Sequence, residues 1–110
     1  MQSVGLDMVD IKRFRPLLKP AGAAALRRLF TPYERAYCLR HKDPAPHFAG
    51  LFAAKEAASK ALGTKRYPLL ALEIRHRKDG APEVWRGKKR AKVRVSVTHI
   101  RGLAAAVALV

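Results

Sequence analysis

HFAGLFAAKEAASKALGT, residues 47–64, is the stretch whose reading decides the fold. It is dense in alanine, leucine, lysine and glutamate, side chains that lose little freedom in a helix. Asp43 stands before it as an N-cap, Pro44 suits the first helical position, and Gly63 can supply a left-handed C-terminal cap. These signals predict one helix from about Asp43 to Leu62. Inside it Phe48, Phe52, Glu56 and Lys60 follow at steps of four. Each step advances about 40° beyond a full turn, so the four form a line drifting slowly round the helix. Two aromatic rings leading to a carboxylate and an ammonium suggest a partly buried polar site. The competing reading of Glu56 is a solvated partner of Lys60, worth a few tenths of a kcal/mol.

Working outward, SVGLDMV (3–9) alternates, with Val4, Leu6 and Met8 on one face and Gly5, Asp7 and Val9 on the other. That predicts a short strand carrying a carboxylate, beside a glycine that lets another group approach the backbone. Ile11 to Phe30 reads as helical, interrupted near Pro20 and Gly22. Thr31-Pro32-Tyr33-Glu34 has the form of a capping box opening another helix. Beyond the central helix, LLALEIRHRK reads as a strand, Asp79-Gly80 as a turn and PEVWR as a strand. RVSVTH and LAAAVALV read as two strands joined through Ile100-Arg101-Gly102. The pattern is α+β, helices mostly early and strands mostly late, in a single small domain over residues 1–110.

The charge balance is one-sided, with 23 Lys and Arg against 8 Asp and Glu. A field of that sign draws polyanions or acidic proteins and says nothing of fold. Cys38 is the sole cysteine, which excludes an intrachain disulfide. The opening residues lack a secretory pattern and no apolar run approaches the length of a membrane span, so a cytoplasmic, soluble protein with no membrane association is expected. No phosphate-cradling glycine loop of the ordinary nucleotide-binding kinds occurs.

Asp7 read alone is either a strand-end or capping aspartate or a ligand. Paired with Glu56 from another element it makes a minimal protein ligand set for Mg2+, which prefers oxygen, keeps several waters and is commonly completed by substrate phosphates. Lys60 beside them could neutralise charge on a transferring phosphate. His99 closes RVSVTH beside Thr98 and Ser96, either as a surface residue or as a donor to a phosphate. His41, His47 and His76 show no zinc spacing.

GLDMVDIKRF (5–14), HFAGLFAAKEAASKALGT (47–64) and VSVTHIRGLAAAVAL (95–109), in that order, resemble the holo-acyl-carrier-protein synthase family of phosphopantetheinyl transferases. TPYERAYCL (31–39) and DGAPEV (79–84) resemble the intervening segments, so the likeness runs along nearly the whole chain. The resemblance implies that family's fold, with helices packed on a curved antiparallel sheet. It implies transfer of the 4'-phosphopantetheine group from coenzyme A to a serine of an acidic acyl carrier protein, releasing 3',5'-ADP. It further implies that Asp7 and Glu56 bind Mg2+, and that Glu56 and Lys60 act in catalysis. Lys55, Lys60 and His99 would contact coenzyme A, and Arg13, Arg27 and Arg28 the carrier protein. A homotrimer with active sites at subunit interfaces belongs to the same expectation. The general base is left open among Glu34, Glu56 and a metal-ordered water, the capping box giving Glu34 a structural reason to exist.

The chain departs from the family pattern in three places. Leu51 stands where an arginine is usual, Lys65 replaces the second glycine of a Gly-Thr-Gly loop, and the Trp85–Val95 region is short. Lys65, Arg66 or the RGKKRAKVR block (86–94) are candidates to restore charge toward coenzyme A. The alternative function is a small basic nucleic-acid-binding protein, supported by that block and the net charge. Against it, the basic residues are scattered and no aromatic platform interleaves with them.

Overall fold

The computed structural model describes residues 2–63 and 69–110, so Lys65 and Arg66 lie outside the described residues. Strand β1 (Val4–Asp10) pairs antiparallel with β6 (Leu103–Leu109), which pairs antiparallel with β5 (Arg94–His99), in the order β1-β6-β5. A second antiparallel sheet has the order β2-β3-β4, from β2 (Glu73–His76), β3 (Pro82–Arg86) and β4 (Lys89–Arg90). The antiparallel strands thus divide between two small sheets. Helices α1 (Ala23–Leu29), α2 (Pro32–Leu39) and α3 (Pro44–Ala61) complete the architecture.

Helix α3 spans almost the whole predicted stretch. Ala45, Phe48, Ala49, Leu51, Ala53, Ala54, Ala57, Ala58 and Ala61 are all buried, as befits a helix enclosed on most sides rather than a surface one. It crosses the first sheet diagonally. Near its start Gly50 faces a methyl of Val97 on β5, and near its end Ala57 and Ala61 meet Gly5 on β1. Ala104, Ala106 and Ala108 of the middle strand are also buried. Small side chains on both layers let helix and sheet approach closely.

Gly5 is the tightest point of that contact. A Cβ there would press on the Ala57 carbonyl oxygen and lie 2.9 Å from both the Ala57 carbonyl carbon and the Ala61 nitrogen. These are backbone atoms and cannot swing away. Gly5→Ala is therefore expected to destabilise the protein by roughly 2 kcal/mol or more, because helix and strand must separate. A urea midpoint equal to that of the unaltered protein would contradict this packing.

The capping box at Thr31 forms as expected: Glu34 N donates to Thr31 Oγ1, and Thr31 N donates to Glu34 Oε1. Gly63 is in the left-handed region, with φ of 74°. Three readings are corrected. Ile11–Gly22 forms three short 3-10 turns, with α-helix only from Ala23, because Pro16 and Pro20 each remove a backbone donor. In LLALEIRHRK only Glu73–His76 is strand, preceded by a 3-10 turn over Leu69–Ala71. Asp43 makes no capping hydrogen bond, and its carboxylate pairs with Arg15 at 3.0 Å instead.

Phe14, Phe30 and Phe48 are fully buried and meet in sequence, with centroids 6.1 and 4.9 Å apart. Outside the core, the face of the first sheet turned away from α3 is apolar and exposed over β1 and β6, while its β5 part carries Arg94, Ser96 and Thr98. Val4, Leu6 and Met8 on β1 are 65, 60 and 59% exposed, next to Val107 and Leu109 on β6. Among the described residues, no helix is long and apolar enough to cross a membrane.

Candidate active site

The close approach at Gly5 brings the last turn of α3 onto β1 two residues further on. Lys60 Nζ donates to the Leu6 carbonyl at 2.8 Å and to Asp7 Oδ1 at 3.2 Å. Asp7 points to the helix side of the strand, its side chain 17% exposed against 53% for Lys60. Its second oxygen, Oδ2, is buried and has no hydrogen-bond partner among the described residues. Leaving a buried carboxylate oxygen unpaired costs on the order of 1–3 kcal/mol, so this oxygen is open to a further donor or a cation.

Glu56 sits one turn before Lys60. The line foreseen from the sequence runs out of the core: Phe48 is fully buried, Phe52 and Glu56 half-buried, and Lys60 exposed. That is the expected consequence of the drift of about 40° at each step. Lys60 turns to β1, so the helix pair with Glu56 is not its principal contact. The guanidinium of Arg13 lies 5.5 Å from the Phe52 ring and 6.0 Å from Phe14, which brings a positive charge to the rim of the same region. Arg27 and Arg28 are exposed in the last turn of α1.

Two residues have other engagements. Lys55 does not face a ligand: it is fully buried, donating to Glu34 Oε1 at 2.7 Å and to the Leu29 carbonyl at 2.9 Å. Adjacent helix positions diverge by about 100°, so Lys55 leaves α3 on a different side from Glu56. The place given to Lys55 along coenzyme A is therefore corrected to a core ion pair. Glu34 is equally enclosed. Besides Lys55 it accepts from Thr31 N at 2.9 Å and from Ile74 N at 2.7 Å, tying α2, α3 and β2 together. Burial raises its carboxyl pKa and lowers that of the Lys55 ammonium, while each partner opposes the shift of the other. With both oxygens engaged, Glu34 has no free face for a general base.

His99, at the end of β5, opens on a separate cavity of about 260 Å³. Its walls include Tyr37, His47, Leu51, His76 and Ser96. Leu51 is 3% exposed and presents hydrocarbon where an arginine was expected. Sequence reasoning missed that His41, His47, His76 and His99 gather beside this cavity with Tyr37. They come from separate elements, and only the tertiary fold joins them. Among the described residues no group of three His, Cys, Asp or Glu side chains is set to hold a metal. An ion at Asp7 and Glu56 would thus need ligands from water or substrate, the habit of Mg2+ rather than of a structural zinc.

The profile of the 4'-phosphopantetheinyl transferase superfamily matches residues 3–108. The holo-[acyl-carrier-protein] synthase of Chlorobaculum tepidum is 38% identical over 111 residues, 96% of this chain and 95% of that protein. The enzyme of the same name from Syntrophotalea carbinolica is 58% identical over 64 residues, 58% of this chain and 50% of that protein. Among solved structures, the holo-(acyl-carrier-protein) synthase of Bacillus anthracis in complex with CoA (3',5'-ADP) superposes with a TM-score of 0.82. It has 29% identity, covering 97% of this chain and 93% of that one.

Proposed function

Since the chain belongs to the 4'-phosphopantetheinyl transferase superfamily, we propose that it is a holo-[acyl-carrier-protein] synthase that moves 4'-phosphopantetheine from coenzyme A to a carrier-protein serine. The observation within the fold that carries this reading is Asp7 Oδ2, buried beside Lys60 and without a partner among the described residues. Asp7 and Glu56 would hold Mg2+, whose chemistry is to draw charge from the pyrophosphate oxygens and orient the reacting groups.

The serine hydroxyl attacks the β-phosphate, and 3',5'-ADP departs with the electrons of the broken P–O bond. Lys60, half-exposed and anchored by the Leu6 carbonyl, offers a fixed ammonium where negative charge builds up. Because phosphoryl transfer asks mainly for positioning and charge stabilisation, an anchored lysine on a rigid helix suits the task. With Glu34 enclosed, Glu56 or an ordered water is left to receive the serine proton. Arg13, Arg27 and Arg28 give the acidic carrier protein a positive landing surface, and the +15 charge of the chain speeds that encounter. A cytoplasmic setting belongs to the same reading.

The test is chemical. Coenzyme A labelled in its pantetheine arm should pass label to an apo carrier protein, and a Mg2+ chelator should stop it. Label that stays on coenzyme A with several carriers would refute the proposal. A nucleic-acid function gains no comparable support, since Phe14, Phe30 and Phe48 are all committed to the core rather than to a stacking surface.

The exposed Val4, Leu6, Met8, Val107 and Leu109 face supports a homotrimer in which sites form between subunits. An apolar sheet face of that kind asks for a protein partner. Leu6→Glu is accordingly expected to give monomers at micromolar concentration in analytical ultracentrifugation, with transfer activity falling alongside. A monomeric unaltered protein that is fully active would contradict this assembly.

A further inference from the structure

The basic stretch RGKKRAKVR (86–94) carries six cations in nine residues, and the fold gives it a fixed shape. Strands β3 and β4 join through a tight turn in which Gly87 has a φ of 60°, a left-handed value that favours glycine. The hairpin register sets Arg86 opposite Lys89 and Trp85 opposite Arg90. Beyond it Ala91 N donates to the Val84 carbonyl at 2.8 Å, and Val93 is buried. The cations therefore stand on an anchored backbone, not on a loop that could spread them apart.

They bound a cleft of about 240 Å³ whose described walls are Leu62, Arg86, Lys89, Arg90, Ala91 and Lys92. Four of these six side chains are cationic and none is acidic. Glu83 reaches one of them, Arg90, at 3.3 Å. Lys89 and Lys92 have no ion pair among the described residues. The cleft stands apart from the transfer site. It shares no described wall with the cavity at His99. Leu62 leaves the end of α3 about 200° round from Lys60, so the cleft opens on the other flank of the helix from Asp7.

Independently of the transferase reading, we propose that this cleft is a second anion site, which takes a short chain of linked phosphates such as tripolyphosphate. Crowded like charges repel, and an anion among them relieves that repulsion. The cationic side chains are exposed, so each single ion pair gains little against water. A lone phosphate, engaging one or two of them, is held weakly. Linked phosphates engage several for one loss of translational freedom, because each further contact is intramolecular. The two arginines add planar forks that suit phosphate oxygens. Size favours a small ligand as well. At roughly 30 Å³ per water the cleft has the room of about eight, enough for a few phosphate groups. A protein helix, about 10–12 Å across, does not fit inside it.

Calorimetric titration of the full chain with inorganic phosphate, pyrophosphate and tripolyphosphate tests this. Affinity is expected to rise about fivefold with each added phosphate, and tripolyphosphate to saturate at one per chain. Lys89→Gln combined with Lys92→Gln should weaken tripolyphosphate about tenfold while leaving the urea midpoint unchanged. Lys60→Gln, in the transfer site, should leave that affinity within about twofold. No saturable binding at millimolar tripolyphosphate would overturn the inference. So would loss of binding with Lys60→Gln but not with the double variant, which would put the anion in the transfer site. Binding of a long oligonucleotide without binding of tripolyphosphate would equally overturn it, in favour of an extended polyanion surface. Label transfer from coenzyme A tests the enzyme reading separately, so either can fail alone.

Discussion

Asp7→Asn is expected to lower phosphopantetheine transfer on the order of a thousandfold while leaving the urea midpoint almost unchanged. Asparagine keeps the shape of aspartate and can still accept from Lys60, so the contact between β1 and α3 survives. What it loses is the second anionic oxygen, the one that is buried and lacks a partner among the described residues. A thousandfold is about 4 kcal/mol of transition-state stabilisation, the scale on which a bound metal acts on a phosphoryl oxygen. Raising Mg2+ should recover part of the loss, because the first effect of the substitution is on ion affinity. Glu56→Gln should behave in the same way. Activity within a few-fold of the unaltered enzyme in steady-state assays would remove Asp7 from the site.

The largest effect on stability is expected at Glu34. Glu34→Ala strands the Lys55 ammonium in the core and leaves the Thr31 and Ile74 N–H groups without their acceptor. Breaking a buried pair from one side costs roughly 3–5 kcal/mol, and two orphaned donors add to it. Thermal unfolding at fixed protein concentration should shift down by about 15 °C or more. Lys55→Met should be milder, since Glu34 keeps both backbone donors and can protonate. Without the ammonium, the Glu34 carboxyl pKa moves further above its unfolded value of about 4.3. The folded state then holds more protons than the unfolded one. The contribution of Glu34 to the stability of Lys55→Met is accordingly fullest below about pH 4.3 and is lost as pH rises through its folded-state pKa. A Glu34→Ala variant as stable as Lys55→Met would contradict this account of the hub.

Local signals carried much of the fold. The Thr31 capping box, the helix over Pro44–Ala61 and the last two strands are written in contiguous residues, and each forms where such signals put it. The alternation in β1 was equally plain, but it could not say which face meets the core. Both faces are largely apolar, and it is Gly5 that decides, because only that side admits the backbone of α3. The outward Val4, Leu6 and Met8 then become a surface that the isolated chain does not explain.

The candidate site was legible where a line of side chains along one helix carried it, from Phe48 to Lys60. It was illegible where partners lie far apart in sequence. Lys55 reads as a neighbour of Glu56 in the string, yet the helix turns it toward Glu34, 21 residues earlier. The histidines are similar. Their spacing fits no metal motif, and their meeting depends on two helices and both sheets arriving together.

The most direct measurement is the intact mass of an apo acyl carrier protein after incubation with this protein, coenzyme A and Mg2+. The account predicts a gain of one phosphopantetheine group on the unaltered carrier. It predicts no gain when the carrier serine is replaced by alanine, and almost none with Asp7→Asn. An unchanged carrier mass across several apo carriers, with folded protein and Mg2+ present, would contradict it.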